Sequence, residues 1–184
     1  MTQISLNELR AFLKQYAGQL LKPVADYGGT DNIGEDLVKK SFSGVGIKKV
    51  KSLDYDSGYD LLKPIKGEKY GSGICMDLLE HVTNPFTVAK NISDSLLPGA
   101  YLFVTAPWKW NYHDSEWFKT ECDIVSTVVW HDYWRFSPNG LIELFSELEA
   151  IRADIVADIK SDDGQENHRS VAVFRKPLKK HKKI

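Results

Sequence analysis

Leu6, Leu9, Phe12, Leu13, Tyr16 and Leu20 recur at helical spacing, one apolar face of a helix. Ser5-Leu6-Asn7-Glu8 reads as its capping box, and the helix is expected to run to about Gly18 before Lys22-Pro23 breaks the pattern. A short apolar run then ends in Asp26-Tyr27-Gly28-Gly29-Thr30, a strand leading into a tight turn. Glu35 to Phe42 reads as a short helix, and KKVKSLDYDSG as a second strand halted by acids and a glycine. KYGSGICMDLLEHV predicts a buried strand that turns near Glu80. Pro85 to Leu97 predicts a helix stopped by Pro98-Gly99, and AYLFVTAPW a fully buried strand.

Ser137-Pro138 places an N-cap and a first-turn proline at the start of another helix, with Leu141, Leu144, Phe145 and Leu148 as its buried face. IRADIVADI alternates, HRSVAVFRK is a further strand, and Asp163-Gly164 between them signals a turn. Two strands joined by so short a loop must pair antiparallel. Strand–helix units followed by a hairpin predict a three-layer, Rossmann-like α/β fold with a mostly parallel sheet and an antiparallel C-terminal hairpin.

The length of 184 residues fits one domain, expected over residues 1–174 with a basic tail at 175–184. Six of the 24 Lys and Arg lie in the last ten residues, leaving 18 against 25 acids in the remainder, a net charge of −7. An acidic body does not suit a nucleic-acid-binding domain. No apolar run is long enough to span a membrane. Glu8, Arg10 and Lys14 interrupt the amino-terminal apolar pattern, where a secretory signal needs an unbroken centre. Two cysteines make no disulfide framework, so a cytoplasmic protein is expected.

Ligands of open α/β sheets lie beyond the carboxyl ends of the strands. Gly28-Gly29 permits close backbone approach there, and a following helix start offers N–H groups to an anion. Neither a GxGxxG fingerprint nor a GxxxxGK[ST] phosphate loop occurs. The second strand ends in Asp54-Tyr55-Asp56, a place where a carboxylate can accept two ribose hydroxyls.

Three segments resemble the class I S-adenosylmethionine-dependent methyltransferases: VADYGGT, GICMDLLEHVTNPFTVAKNISDSLLPGAYLFVTAP and HDYWRFSPNGLIELF, the last found in one branch of these enzymes. The resemblance spans roughly residues 20–175. It implies that Asp26, Gly28 and Gly29 hold the methionine portion of S-adenosyl-L-methionine, that Asp54 holds the ribose, that Asp77 and Leu78 lie near the methionine end and the sulfonium, and that Tyr27, Thr30 and Tyr55 are also among the cofactor-binding residues. Three departures stand out, the first being that the glycine motif has only two adjacent glycines before Asp31. Gly71 occupies the place of an acid common before the family's fourth strand, and residues 60–70 are too few for a third strand and its helix.

The acceptor implied is an O or N atom of a small molecule or a saccharide precursor. A protonated nucleophile needs a base near neutral pK, for which His81, His113 and His131 are candidates. Their spacing matches no ligand motif, so no metal is expected. Nine aromatic residues fall within residues 108–136, too dense for an ordinary connection. Trp108, Tyr112, Tyr133 and Trp134 are candidates for an acceptor lid over residues 108–134, and Arg135 for pairing with an acceptor anion or with an acid of its own fold. The alternative is a non-catalytic relative that binds cofactor or a partner protein.

Overall fold

A computed structural model describes residues 2–29, 32–55, 57–113, 131–157 and 167–178. Helix α1 (Gln3–Tyr16) is followed by a 3-10 turn, then β1 (Val24–Tyr27), α2 (Asn32–Ser43), β2 (Val50–Leu53) and β3 (Tyr70–Met76). After a 3-10 turn at Leu79–His81 come α3 (Pro85–Ser95), β4 (Leu96–Lys109), α4 (Pro138–Leu144), β5 (Glu149–Ala157) and β6 (His168–Arg175). The strands form a six-stranded sheet in the order β2-β1-β3-β4-β6-β5. β2, β1, β3 and β4 run parallel, and β6 pairs antiparallel with both β4 and β5. The mostly parallel sheet with an antiparallel hairpin is thus as expected.

Period-2 alternation divides the core into two layers. In β4, Tyr101 and Phe103 join one cluster with Leu9, Phe12 and Leu13 of α1 and Phe42 of α2. Leu102, Val104 and Ala106 join the other, with Val88 and Ile92 of α3, Leu141 of α4 and Phe145 at the end of α4. In β6 Val171 and Val173 face the first layer, Ala172 and Phe174 the second. β5 forms the edge, and its Ile151 and Ile155 stay exposed.

Some boundaries differ from the sequence reading. The N-cap of α1 is Thr2, whose hydroxyl accepts from the Ser5 amide. Ser5 lies inside the first turn and is not the cap, because its own hydroxyl is drawn to Asp77. Pro98-Gly99 lies within β4, at an interruption of the β3–β4 register, where Gly99 takes φ 84°. β6 reaches Arg175, in keeping with the strand read over HRSVAVFRK, and Lys176 donates to the Ala100 carbonyl at 2.8 Å. The Asp163-Gly164 turn lies outside the described residues.

Two glycines of β3 explain themselves sterically. A Cβ on Gly73 would meet the Tyr27 ring at 2.6 Å, and one on Gly71 the Leu21 backbone at 2.6 Å. An acid cannot stand at Gly71 while the chain entering β1 crosses so closely.

Candidate active site

β1 and β2 end in register, Tyr27 opposite Leu53, and the Gly28 amide donates to the Leu53 carbonyl at 3.0 Å. Gly28 and Gly29 then turn the chain with φ 99° and 52°, a region costly for residues with a Cβ. Neighbours crowd the turn. A Cβ on Gly29 would lie 2.2 Å from Asp54 Oδ2, and one on Gly28 would lie 2.9 Å from the Leu78 methyls. Asp54 accepts from Ser52 Oγ and from the Ser57 amide, both at 2.6 Å, so its carboxylate is aimed across the turn. Asp26 is buried at the end of β1. Tyr27 belongs to the core, its hydroxyl 2.6 Å from Ser95 Oγ, while Tyr55 projects outward. Thr30 lies outside the described residues.

Beyond β3 the edge becomes charged. Asp77 adopts φ 52°, the only non-glycine in that region among the described residues. Its carboxylate pairs with Arg169 of β6 and accepts from Thr105 Oγ1 (2.9 Å) and Ser5 Oγ (3.1 Å). Burial works to raise its pKa, but Arg169 and these hydroxyls hold it below the usual carboxylate range. Arg169, 2% exposed, lies 4.5 Å above the Trp110 ring.

Glu80 has the opposite surroundings. It is 1% exposed, and among the described residues neither carboxylate oxygen has a hydrogen-bond partner in another residue. Burial, then the nearby Asp77, pushes its carboxyl up to about 8. His81 Nε2 is 3.8 Å from Glu80 Oε1, and His81 Nδ1 is 2.7 Å from the His131 carbonyl. The His81 and His113 rings meet edge-on with centroids 5.3 Å apart. Burial lowers both imidazoles, favouring neutral rings. His131 contributes its carbonyl here, while its ring lies against Tyr133 at 5.7 Å.

Asp132 organises the aromatic segment. It accepts from the His113 amide at 2.8 Å and takes Arg135 in a two-pronged pair at 2.5 and 2.6 Å. Arg135 also donates to the Trp110 and Asn111 carbonyls, so it meets an acid of its own fold. Tyr133 is tied by its amide to the Glu80 carbonyl, and Trp134 by its indole N–H to the Val82 carbonyl. Trp108, Tyr112, Tyr133 and Trp134 keep exposed faces. Residues 114–130 of the expected lid lie outside the described residues.

Glu80, Asp132 and Arg169 were not singled out by sequence. Their signal was available: an acid inside the apolar run MDLLEHV and a cation inside the apolar strand HRSVAVFR are expensive to bury without a purpose.

A cavity of about 700 Å³ lies at the other end of the sheet, where Val24 and Val50 begin their strands, and Lys39, Lys40, Lys48, Lys49 and Lys51 line it. Chemistry argues for the carboxyl edge as the site, since ligands of such sheets collect there. No helix among the described residues is long and apolar enough to cross a membrane.

No family model matches the chain, and no curated protein does. Solved structures do. A SAM-dependent methyltransferase from Methanosarcina mazei aligns with TM-score 0.52 at 12% identity, over 89% of this chain and 97% of that one. The N-methyltransferase NodS from Bradyrhizobium japonicum aligns with TM-score 0.51 at 13% identity, over 95% and 98%. NodS in complex with S-adenosyl-L-homocysteine aligns with TM-score 0.52 at 13% identity, over 93% and 87%. The chain therefore has the class I methyltransferase fold.

Proposed function

We propose that the protein is an S-adenosyl-L-methionine-dependent methyltransferase of the cytoplasm, acting on an O or N atom of a small molecule or saccharide precursor, with neither membrane nor nucleic acid as partner. One observation carries the reading: a two-glycine turn in left-handed conformation, faced by the carboxylate of Asp54 from the neighbouring strand end. Such a cradle suits a nucleoside-bearing ligand. Asp54 would accept the ribose hydroxyls, and Gly28 and Gly29 would let the ligand's chain approach the backbone. Leu78, already against Gly28, would bound the methionine end. When bound, the sulfonium supplies an electrophilic methyl group, so the protein's task is alignment and removal of the acceptor's proton. His81 and His113, half-buried and shifted by that burial toward the neutral form, suit that proton transfer. The exposed aromatic faces of Trp108, Tyr112, Tyr133 and Trp134 suit a planar acceptor or a sugar ring.

Calorimetric titration with S-adenosylhomocysteine tests the reading. Binding is expected, weakened in Asp54→Ala by about 1.5–3 kcal/mol, the scale of a charge-assisted hydrogen bond. Absence of binding to the folded parent would overturn the proposal. It would favour a non-catalytic module, a reading that the closeness of Asp54 and Leu78 to the turn also supports.

A further inference from the structure

Glu80, His81 and His113 bring three donor atoms within 4.8 Å of one another. The carboxylate carries the first part of the inference. A polar group sealed from water is ordinarily hydrogen-bonded, yet Glu80 is 1% exposed and both its oxygens lack a hydrogen-bond partner. No other residue among those described fixes the carboxylate by a hydrogen bond, and it lies beside two imidazoles.

The imidazoles carry the second part. His81 Nδ1 lies 2.7 Å from the His131 carbonyl, which can only accept, so Nδ1 holds the proton and Nε2 the lone pair. His113 Nδ1 lies 3.1 Å from the Asn111 carbonyl and 3.1 Å from Asp132 Oδ2, again acceptors, so its lone pair is also on Nε2. Asp132 is steadied in turn by Arg135. Metal-ligating histidines are held in this manner, the distal N–H given to a carbonyl or carboxylate that fixes tautomer and ring orientation.

We propose that Glu80, His81 and His113 form a binding site for a divalent transition-metal ion of the zinc class, through one carboxylate oxygen and the two Nε2 atoms. Two imidazoles with one carboxylate suit such an ion better than magnesium or calcium, which prefer all-oxygen sets. Three protein ligands leave a coordination position open. Ligand distances of about 2.0–2.2 Å require the three atoms to draw closer than 4.8 Å. The His81 Nε2–Glu80 Oε1 pair stands at 3.8 Å already. The site does not rest on the methyl-transfer reading, and with an ion bound the Nε2 lone pairs of His81 and His113 are no longer open to an acceptor's proton.

The test uses the full chain, stripped of metal. Titration with Co²⁺ is expected to raise visible absorption bands of low-symmetry cobalt that saturate at one equivalent and bleach when Zn²⁺ is added. Glu80→Gln, which keeps the side chain's shape, and His113→Asn should each weaken Zn²⁺ binding by more than about 100-fold. Asp132→Asn, which removes no ligand and reaches the site through His113, should weaken it by roughly 10–100-fold. His181→Asn should leave it unchanged, which separates the site from the basic carboxyl-terminal stretch. Zn²⁺ should also raise the melting temperature of the parent but not of Glu80→Gln, a comparison that holds even if His113→Asn fails to fold. Absence of a saturable cobalt spectrum, or parental Zn²⁺ affinity in Glu80→Gln, overturns the proposal. Titrating S-adenosylhomocysteine into the same metal-free samples judges the cofactor reading separately, since Asp54 and the glycine turn contribute no metal ligand.

Discussion

The carboxyl edge of the sheet is built on different physics at its two ends. Over β1 and β2 it is a matter of backbone: two glycines in left-handed conformation, with Asp54 and Leu78 so close that a Cβ has no room. Over β3, β4 and β6 it is a matter of buried carboxyl groups: Asp77 fully engaged by Arg169, Thr105 and Ser5, and Glu80 held by no hydrogen bond from another described residue. Substitutions in the first region should act through geometry, and those in the second through charges left alone.

The largest effect belongs to the charged end. Asp77→Ala strands Arg169 in the interior and should cost about 3–5 kcal/mol in a denaturant titration. Glu80→Gln in metal-free protein should change stability by less than about 1 kcal/mol, because it removes no hydrogen bond. Equal losses from the two variants would erase the distinction between an engaged and an orphaned carboxylate.

At the glycine end, Gly29→Ala should cost about 1–3 kcal/mol, since φ 52° disfavours a side chain and Asp54 must move aside. Asp54→Ala in the same chain should return part of that loss, with a coupling of roughly 0.5–3 kcal/mol in a double-mutant cycle. Strict additivity would mean that the two residues do not meet. Gly28→Val offers a less clean probe of ligand binding, because φ 99° and the Leu78 methyls both penalise a branched side chain before any ligand arrives.

The pH dependence separates the ends further. Asp77 has a folded pKa below its unfolded value, so its contribution is present above the ordinary carboxylate range. That contribution is lost as pH falls through the depressed folded value. The parent should therefore show an acid-limb loss of stability that Asp77→Asn reduces. An unchanged acid limb would show that Arg169 does not hold the charged form.

The smallest effect concerns the aromatic segment. Amides of residues 108–113 and 131–134 should gain protection from hydrogen exchange when S-adenosylhomocysteine and an acceptor are both bound. Identical protection in the apo, cofactor-bound and ternary states would leave the segment a packing element only.

Periodicity made the fold legible. Six apolar positions at helical spacing marked α1, and the alternation in β4 and β6 marked strands with two buried faces. The glycine turn and Asp54 were visible because they lie at strand ends, where local pattern and function coincide. The Glu80–His81–His113 grouping was not, because His113 enters from beyond β4 and no linear spacing encodes that approach. The capping error at Ser5 has the same origin: a hydroxyl that suits a helix start was drawn to a carboxylate 72 residues away.

The ion pair between Asp77 and Arg169 also sets an order of events. Its members are 92 residues apart, and Ser5 joins them from the other end of the chain. β6 must enter between β4 and β5 before Arg169 can arrive. A growing polypeptide, released amino terminus first, thus carries an uncompensated Asp77 through most of the synthesis that follows it. Long-range closures of this kind come late, after loop entropy has been overcome. The charged half of the carboxyl edge therefore matures only with the insertion of the final strand, and fragments ending before residue 169 should reach the ribosome exit with a sheet begun and that half unformed.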